Sequence, residues 1–151
     1  MQIHTEFNFD EITSFEEFEK IYCTRRGEIP FQIMSAFKFA EKSHRNQKRY
    51  ASNQDFIVHP LTVAKYAIQI DLNDTAITAA LLHDTVEDTD ATIEELEKKF
   101  GTEVAFIVDC LTDVTDVSDL AEFNEDLINS RRIVIQAAND IRVILIKLCD
   151  K

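Results

Sequence analysis

At 151 residues the chain is long enough for one domain with a sizeable core and too short for two comfortable ones. Only two Gly and two Pro leave little turn punctuation for a many-stranded fold, so composition predicts an all-α domain. A formal net charge of -12 argues against duplex nucleic acid as a partner, yet it leaves room for a small phosphorylated ligand, because a bound divalent cation can dominate the local field. The three cysteines, Cys23, Cys110 and Cys149, show no CxxC spacing and read as free thiols in a reducing compartment. With no signal peptide and no apolar run of bilayer length, the expectation is a soluble cytoplasmic protein without a membrane partner.

Along the chain, Ser14 followed by Glu17 has the capping-box pattern, and Phe15, Phe18, Ile21 and Tyr22 recur at helical spacing. A short amphipathic helix is expected there, within an extension over residues 1–30 that lies on the domain or on a partner chain. Gly27 and Pro30 mark a break. A second helix is predicted from Phe31 to Asn46, with Phe31, Met34, Ala36, Phe37 and Phe39 as its apolar bulk. Residues 47–58 are polar and aperiodic and read as a loop. His59-Pro60 opens a third helix with an inner stripe of Leu61, Ala64, Ala67 and Ile68.

Asn73 or Asp74 caps the next helix, which carries Ile77, Ala80 and Leu81 to His83. Thr92 with Glu95 makes a second capping box, and Gly101 is a helix stop. Val104, Ile107, Val108 and Leu111 predict one more helix, followed by an acidic loop through Asp113, Asp116 and Asp119. Residues 124–151 alternate in a helical manner with a break near Asn139-Asp140. Residues 141–148 are β-branched enough to pass for a strand, but no partner strand is in reach, so helix is preferred.

The chemistry concentrates in residues 79–89, reading AALLHDTVEDT. A small apolar run feeds directly into His83, Asp84, Glu87 and Asp88. Adjacent residues stand about 100° apart on an α-helix, so His83 and Asp84 straddle one point beside it. Imidazole nitrogen and carboxylate oxygen suit Mn²⁺, Fe²⁺ or Zn²⁺, and the pair alone does not choose among them. If the helix continues, Glu87 and Asp88 repeat the arrangement one turn on and can orient or deprotonate a water. His59 and Asp150 are further candidate ligands.

This block resembles the signature of the hydrolase domain of the RelA/SpoT proteins, within the HD phosphohydrolase superfamily. Residues 44–49, HRNQKR, are similar to the family's HxGQxR segment, with Asn46 at its glycine. Residues 57–60, IVHP, are similar to its YIxHP, Phe100-Gly101 to its FG, and residues 140–150, DIRVILIKLCD, to its DIRVxLxKLAD. The blocks fall in family order from about Phe31 onward. The resemblance implies an α-helical HD bundle over residues 31–151 and Mn²⁺-dependent removal of the 3′-pyrophosphate from (p)ppGpp, giving GDP or GTP. By position, it implies His59, His83, Asp84 and Asp150 as metal ligands, Glu87 and Asp88 as the residues that position and activate the water, and Arg49 at the nucleotide side.

Tyr50-Ala51-Ser52 stands where the family has a basic residue and Ser-Gly, which leaves open another nucleotide such as NADPH. The family continues past the position of Asp150 through an Arg-x-His-Asn segment, so the bundle is expected to be truncated at its C-terminus, and a non-catalytic module binding nucleotide or protein is a further alternative. Plainer readings stand beside these. His83 to Asp88 can be a solvated acidic helix end, His59 a packing residue, and Asp150 an exposed terminal acid. Arg49 can be a surface cation paired with Asp55. His44 reads as a structural or supporting residue and not as a ligand. Phe7, Phe9, Phe15 and Phe18 read as core or interface. A homo-oligomer remains open.

Overall fold

In the computed structural model, residues 7–112 and 140–150 are described, and every regular element among them is an α-helix. The all-α expectation is met. The acidic loop through Asp113, Asp116 and Asp119 and the break at Asn139 lie outside the described residues. An antiparallel bridge between Lys48 and Asp55 pinches the loop after the second helix. Among the described residues no helix is long and apolar enough to cross a membrane.

Helix α1, Phe15–Arg26, begins as its capping pattern predicts: Ser14 Oγ accepts from the Glu17 N–H at 3.3 Å. The return arm lands one residue earlier, with Glu17 Oε2 accepting from the Thr13 N–H at 3.1 Å. Glu16 and Glu17 in its first turn and Arg25 and Arg26 in its last complement the helix dipole. Phe18 and Tyr22 are buried in the common core with Ile12 and Ile29, so this helix packs on the domain. The segment before it runs along the third helix. Lys65 Nζ donates to Asn8 Oδ1 at 3.1 Å and to the Asp10 carbonyl at 2.5 Å, and the Tyr66 hydroxyl donates to the Phe9 carbonyl at 2.6 Å.

Helix α2, Phe31–Ser43, stops three residues short of Asn46, which takes φ 70° and turns the chain in the left-handed region. It buries Ile33, Ala36 and Ala40, while Phe31, expected inside, is exposed. Phe31 stands two positions before the buried Ile33, about 200° around the helix, and so faces outward. Phe37 stacks on Phe15 of α1 with ring centroids 4.2 Å apart.

Helices α3, Val58–Gln69, and α4, Asp74–Leu82, pack against each other at the centre. Asn73 Oδ1 caps α4 by accepting from the Ala76 N–H at 3.0 Å. Every residue from Ala76 to Leu82 is buried, because α4 touches α2, α3 and α7 (Thr102–Leu111) on successive faces. Its alanines permit that close approach, and its large side chains supply the driving force. Ile77, Leu81 and Leu82 each contribute about 1.5–3 kcal/mol on full burial, together more than the roughly 1–3 kcal/mol that one unpaired buried polar atom costs. The core can therefore carry a strained polar site at its edge.

A single turn, α5, Thr85–Asp88, follows α4. Helix α6, Ile93–Phe100, opens on the second predicted cap, Thr92 Oγ1 accepting from the Glu95 N–H at 3.2 Å. Gly101, at φ 91°, ends α6 and starts α7. Helix α8, Ile141–Asp150, settles the strand-or-helix ambiguity as helix and packs on α3, α4 and α7. Its start is held by Arg142, whose guanidinium reaches Asp140 and, at 2.6 Å, Glu103 of α7.

Candidate metal centre

Three helix ends meet where α3 begins, α4 stops and α8 finishes, and they bring His59, His83, Asp84 and Asp150 together. His59 Nε2 lies 3.0 Å from Asp150 Oδ1 and 3.4 Å from Asp84 Oδ2. His83 Nε2 lies 3.1 Å from Asp84 Oδ1 and 3.4 Å from Asp150 Oδ1. The donor atoms of His59, His83 and Asp150 all fall within 4.8 Å of one another.

The break after α4 builds this corner. The sequence takes this helix to His83 and leaves its continuation through Asp88 open; it does not continue, since α4 ends at Leu82 and α5 restarts at Thr85. Side chains take the carbonyls at the end of the helix: His83 Nδ1 donates to the Ala80 carbonyl at 2.8 Å, and Thr85 Oγ1 donates to the Leu82 carbonyl at 2.7 Å. The bond to Ala80 also fixes the tautomer. With Nδ1 protonated, the neutral ring presents a lone pair at Nε2.

That Nε2 is buried and makes no well-aligned hydrogen bond, although two carboxylates stand close to it. Burial by itself pushes the ring toward neutrality, but Asp150 and Asp84 outweigh it and raise the pKa of His83 to about 10. Burial likewise opposes charge on the two carboxylates. For Asp84, His83 and then His59 overcome it; for Asp150, His59 and His83 do. Both carboxylates are held below their ordinary range. A divalent cation that displaced the proton at His83 Nε2 would meet two imidazole nitrogens and two ionised carboxylates around one point, and that donor set fits it.

Glu87 and Asp88 sit on the exposed α5 turn beside this corner. Desolvation, and after it the Asp84 charge, raises the Asp88 carboxyl above its ordinary value, while His44, His83 and His59 pull it down. A cleft of about 850 Å³ between α2 and the α5–α6 connection reaches Asp88, with Lys38 and Lys42 on one wall and Asp90 and Glu95 on its lining. Arg49 is not paired with Asp55. Its guanidinium forms an ion pair with Glu11, in the segment before α1, and Asp55 takes Lys48 Nζ at 2.5 Å. Glu11 was not singled out in the sequence, since nothing local links it to a cation 38 residues away.

Comparison with known proteins agrees with this architecture. Residues 36–151 match the family model described as HD domain. The guanosine-3′,5′-bis(diphosphate) 3′-pyrophosphohydrolase of Aquifex aeolicus (strain VF5) is 37% identical over 141 residues, covering 93% of this chain and 20% of that protein. The GTP pyrophosphokinase of Myxococcus xanthus is 42% identical over 122 residues, or 79% of this chain and 16% of that protein. The chain thus spans a fifth or less of these curated relatives. A solved structure described as a metazoan ortholog of SpoT that hydrolyzes ppGpp and plays a role in starvation responses superposes with a TM-score of 0.67 at 31% identity, over 81% of this chain and 67% of that one. The chain belongs to the HD-domain family and is a homologue of the RelA/SpoT (p)ppGpp hydrolases.

Proposed function

We propose that this chain is a divalent-metal phosphohydrolase that removes the 3′-pyrophosphate of (p)ppGpp, giving GDP or GTP and pyrophosphate. The observation that carries the reading is the buried Nε2 of His83, which makes no aligned hydrogen bond yet lies within 3.4 Å of both Asp84 and Asp150, with His59 beside it. Mn²⁺ held by His59, His83, Asp84 and Asp150 would supply Lewis-acid polarisation of a phosphoryl oxygen. Asp88 takes the proton of the attacking water, and its raised pKa suits a base that must also release that proton. Glu87, one position earlier on the same turn, orients the water. The cleft that ends at Asp88 has room for a nucleotide. Arg49 meets the nucleotide side once its pairing with Glu11 opens.

The test is pyrophosphate release from ppGpp and pppGpp by Mn²⁺-loaded protein, with GDP and GTP followed by chromatography. Turnover that stops on chelation is expected. A folded, Mn²⁺-loaded sample that releases nothing from either nucleotide ends this reading. Release of phosphate from NADPH instead would keep the centre and change the substrate, and nucleotide binding without turnover would make the chain a binding module.

A further inference from the structure

Gln47 links two groups that the proposed chemistry leaves aside. Its side chain lies between the Asp88 carbonyl and the His44 ring, 2.9 Å from each. A carbonyl only accepts, so the amide nitrogen of Gln47 faces Asp88 and its oxygen faces His44. An amide oxygen also only accepts, so His44 Nδ1 carries the proton and donates. The neutral His44 ring therefore presents an unprotonated Nε2.

That Nε2 is buried without a hydrogen-bond partner, in a residue only 3% exposed. The Phe56 ring lies against His44 with centroids 4.5 Å apart, and Phe56 meets His59 edge-on at 5.9 Å, so the imidazole is held in place beside the metal corner. The backbone fixes it as well. His44 caps α2 through its N–H to the Ala40 carbonyl at 2.9 Å, and Gln47 N–H closes the turn onto the His44 carbonyl at 2.9 Å. A buried acceptor left open on a ring that one side chain, Gln47, ties to the Asp88 backbone has the form of a water site.

We infer that His44 is a positioning residue for Asp88: through Gln47 it fixes the α5 backbone, and its Nε2 accepts a hydrogen bond from a water held beside the Asp88 carboxyl. The inference rests on the reading of Asp88 as the base, and its test separates the two. In metal-free protein, ¹⁵N spectra of the imidazole rings are expected to show His44 as the Nδ1–H tautomer. In Gln47→Leu, that tautomer preference and the ¹³C resonance of the Asp88 carbonyl both change. In the Mn²⁺-loaded protein, His44→Asn keeps a donor at the Nδ1 place and deletes Nε2. It is expected to leave Mn²⁺ affinity, melting temperature and KM for ppGpp near the parent values while kcat falls about 10–100-fold. Gln47→Glu accepts from His44 but cannot donate to Asp88, and gives the same split if His44→Asn does not fold.

An Nε2–H tautomer for His44, an Asp88 carbonyl resonance indifferent to Gln47→Leu, or a His44→Asn enzyme as fast as the parent overturns the inference. If the parent turns over no nucleotide, the hydrolase reading fails, and the tautomer and carbonyl-resonance measurements still decide the link between His44 and Asp88.

Discussion

At the corner formed by His59, His83, Asp84 and Asp150, each donor stands at a helix end and its side chain is at most 22% exposed. Around Arg49 the chain is a loop. Tyr50 is fully exposed, Asn46 and Asn53 adopt positive φ, and the arginine is engaged by a carboxylate from a distant segment. The corner is fixed by buried bonds between side chains and backbone, such as His83 to Ala80 and Thr85 to Leu82. The loop backbone is held by the Lys48–Asp55 bridge, but its charged side chains are held only by surface ion pairs, each worth about 0–1 kcal/mol. On the proposed function, the groups that would hold the ion are placed where the core enforces one geometry, and the arginine that would meet the nucleotide is placed nearer the surface.

This contrast breaks most visibly at His83. His83→Ala removes the imidazole nitrogen that faces the two carboxylates, so Mn²⁺ binding measured by calorimetry and turnover of ppGpp are both expected to vanish. Parent-like Mn²⁺ affinity in that variant would move the centre elsewhere. Asp88→Asn is expected to keep Mn²⁺ affinity while kcat falls roughly 10²–10⁴-fold, since it removes only the base. The pH dependence follows from its sign. A base with a raised pKa works only after losing its proton, so kcat should fall as pH drops through a value above the ordinary carboxylate range. An acid limb of the rate profile at an ordinary carboxylate pH would break that assignment.

On the loop the effects are smaller and fall on binding. Glu11→Gln releases Arg49 and is expected to lower KM for ppGpp a few-fold with kcat unchanged, whereas Arg49→Ala raises it by a similar factor. If neither substitution moves KM in a steady-state assay, Arg49 does not meet the nucleotide. The smallest effect is expected at Asn46. At φ 70° glycine has no steric penalty, so Asn46→Gly should stay within about 0.5 kcal/mol of the parent in denaturant melts, while Asn46→Val should cost about 1–2 kcal/mol.

The same divide governs what could be read from the chain. Caps are local chemistry, and Ser14, Asn73 and Thr92 begin their helices as read. The inward stripe of α7 is periodic, and Val104, Ile107, Val108 and Leu111 are all buried. The candidate ligands were legible because His83 and Asp84 lie in one short block and the ordered resemblance supplied the other two. The break after Leu82 was not legible, because it depends on whether His83 and Thr85 turn back onto the helix or outward to solvent, and helical periodicity is silent on that. The partner of Arg49 was missed for a tertiary reason: Asp55 is nearer along the chain, but Glu11 is nearer in space. Asn46, a departure from the glycine in HxGQxR, is explained by its left-handed backbone, which asparagine tolerates better than most residues.

His59 and Asp150 meet across 91 positions of sequence. Holding the ends of so long a loop together carries an entropic cost that grows with the logarithm of its length. An ion seated between them would act as a clasp on that loop, adding about 2.7 kcal/mol to stability at a free concentration a hundred times its dissociation constant. The melting temperature would then report metal loading independently of any substrate. Helix α8, whose last residue lies at the clasp, is the element whose amide hydrogens should exchange faster once the ion is chelated.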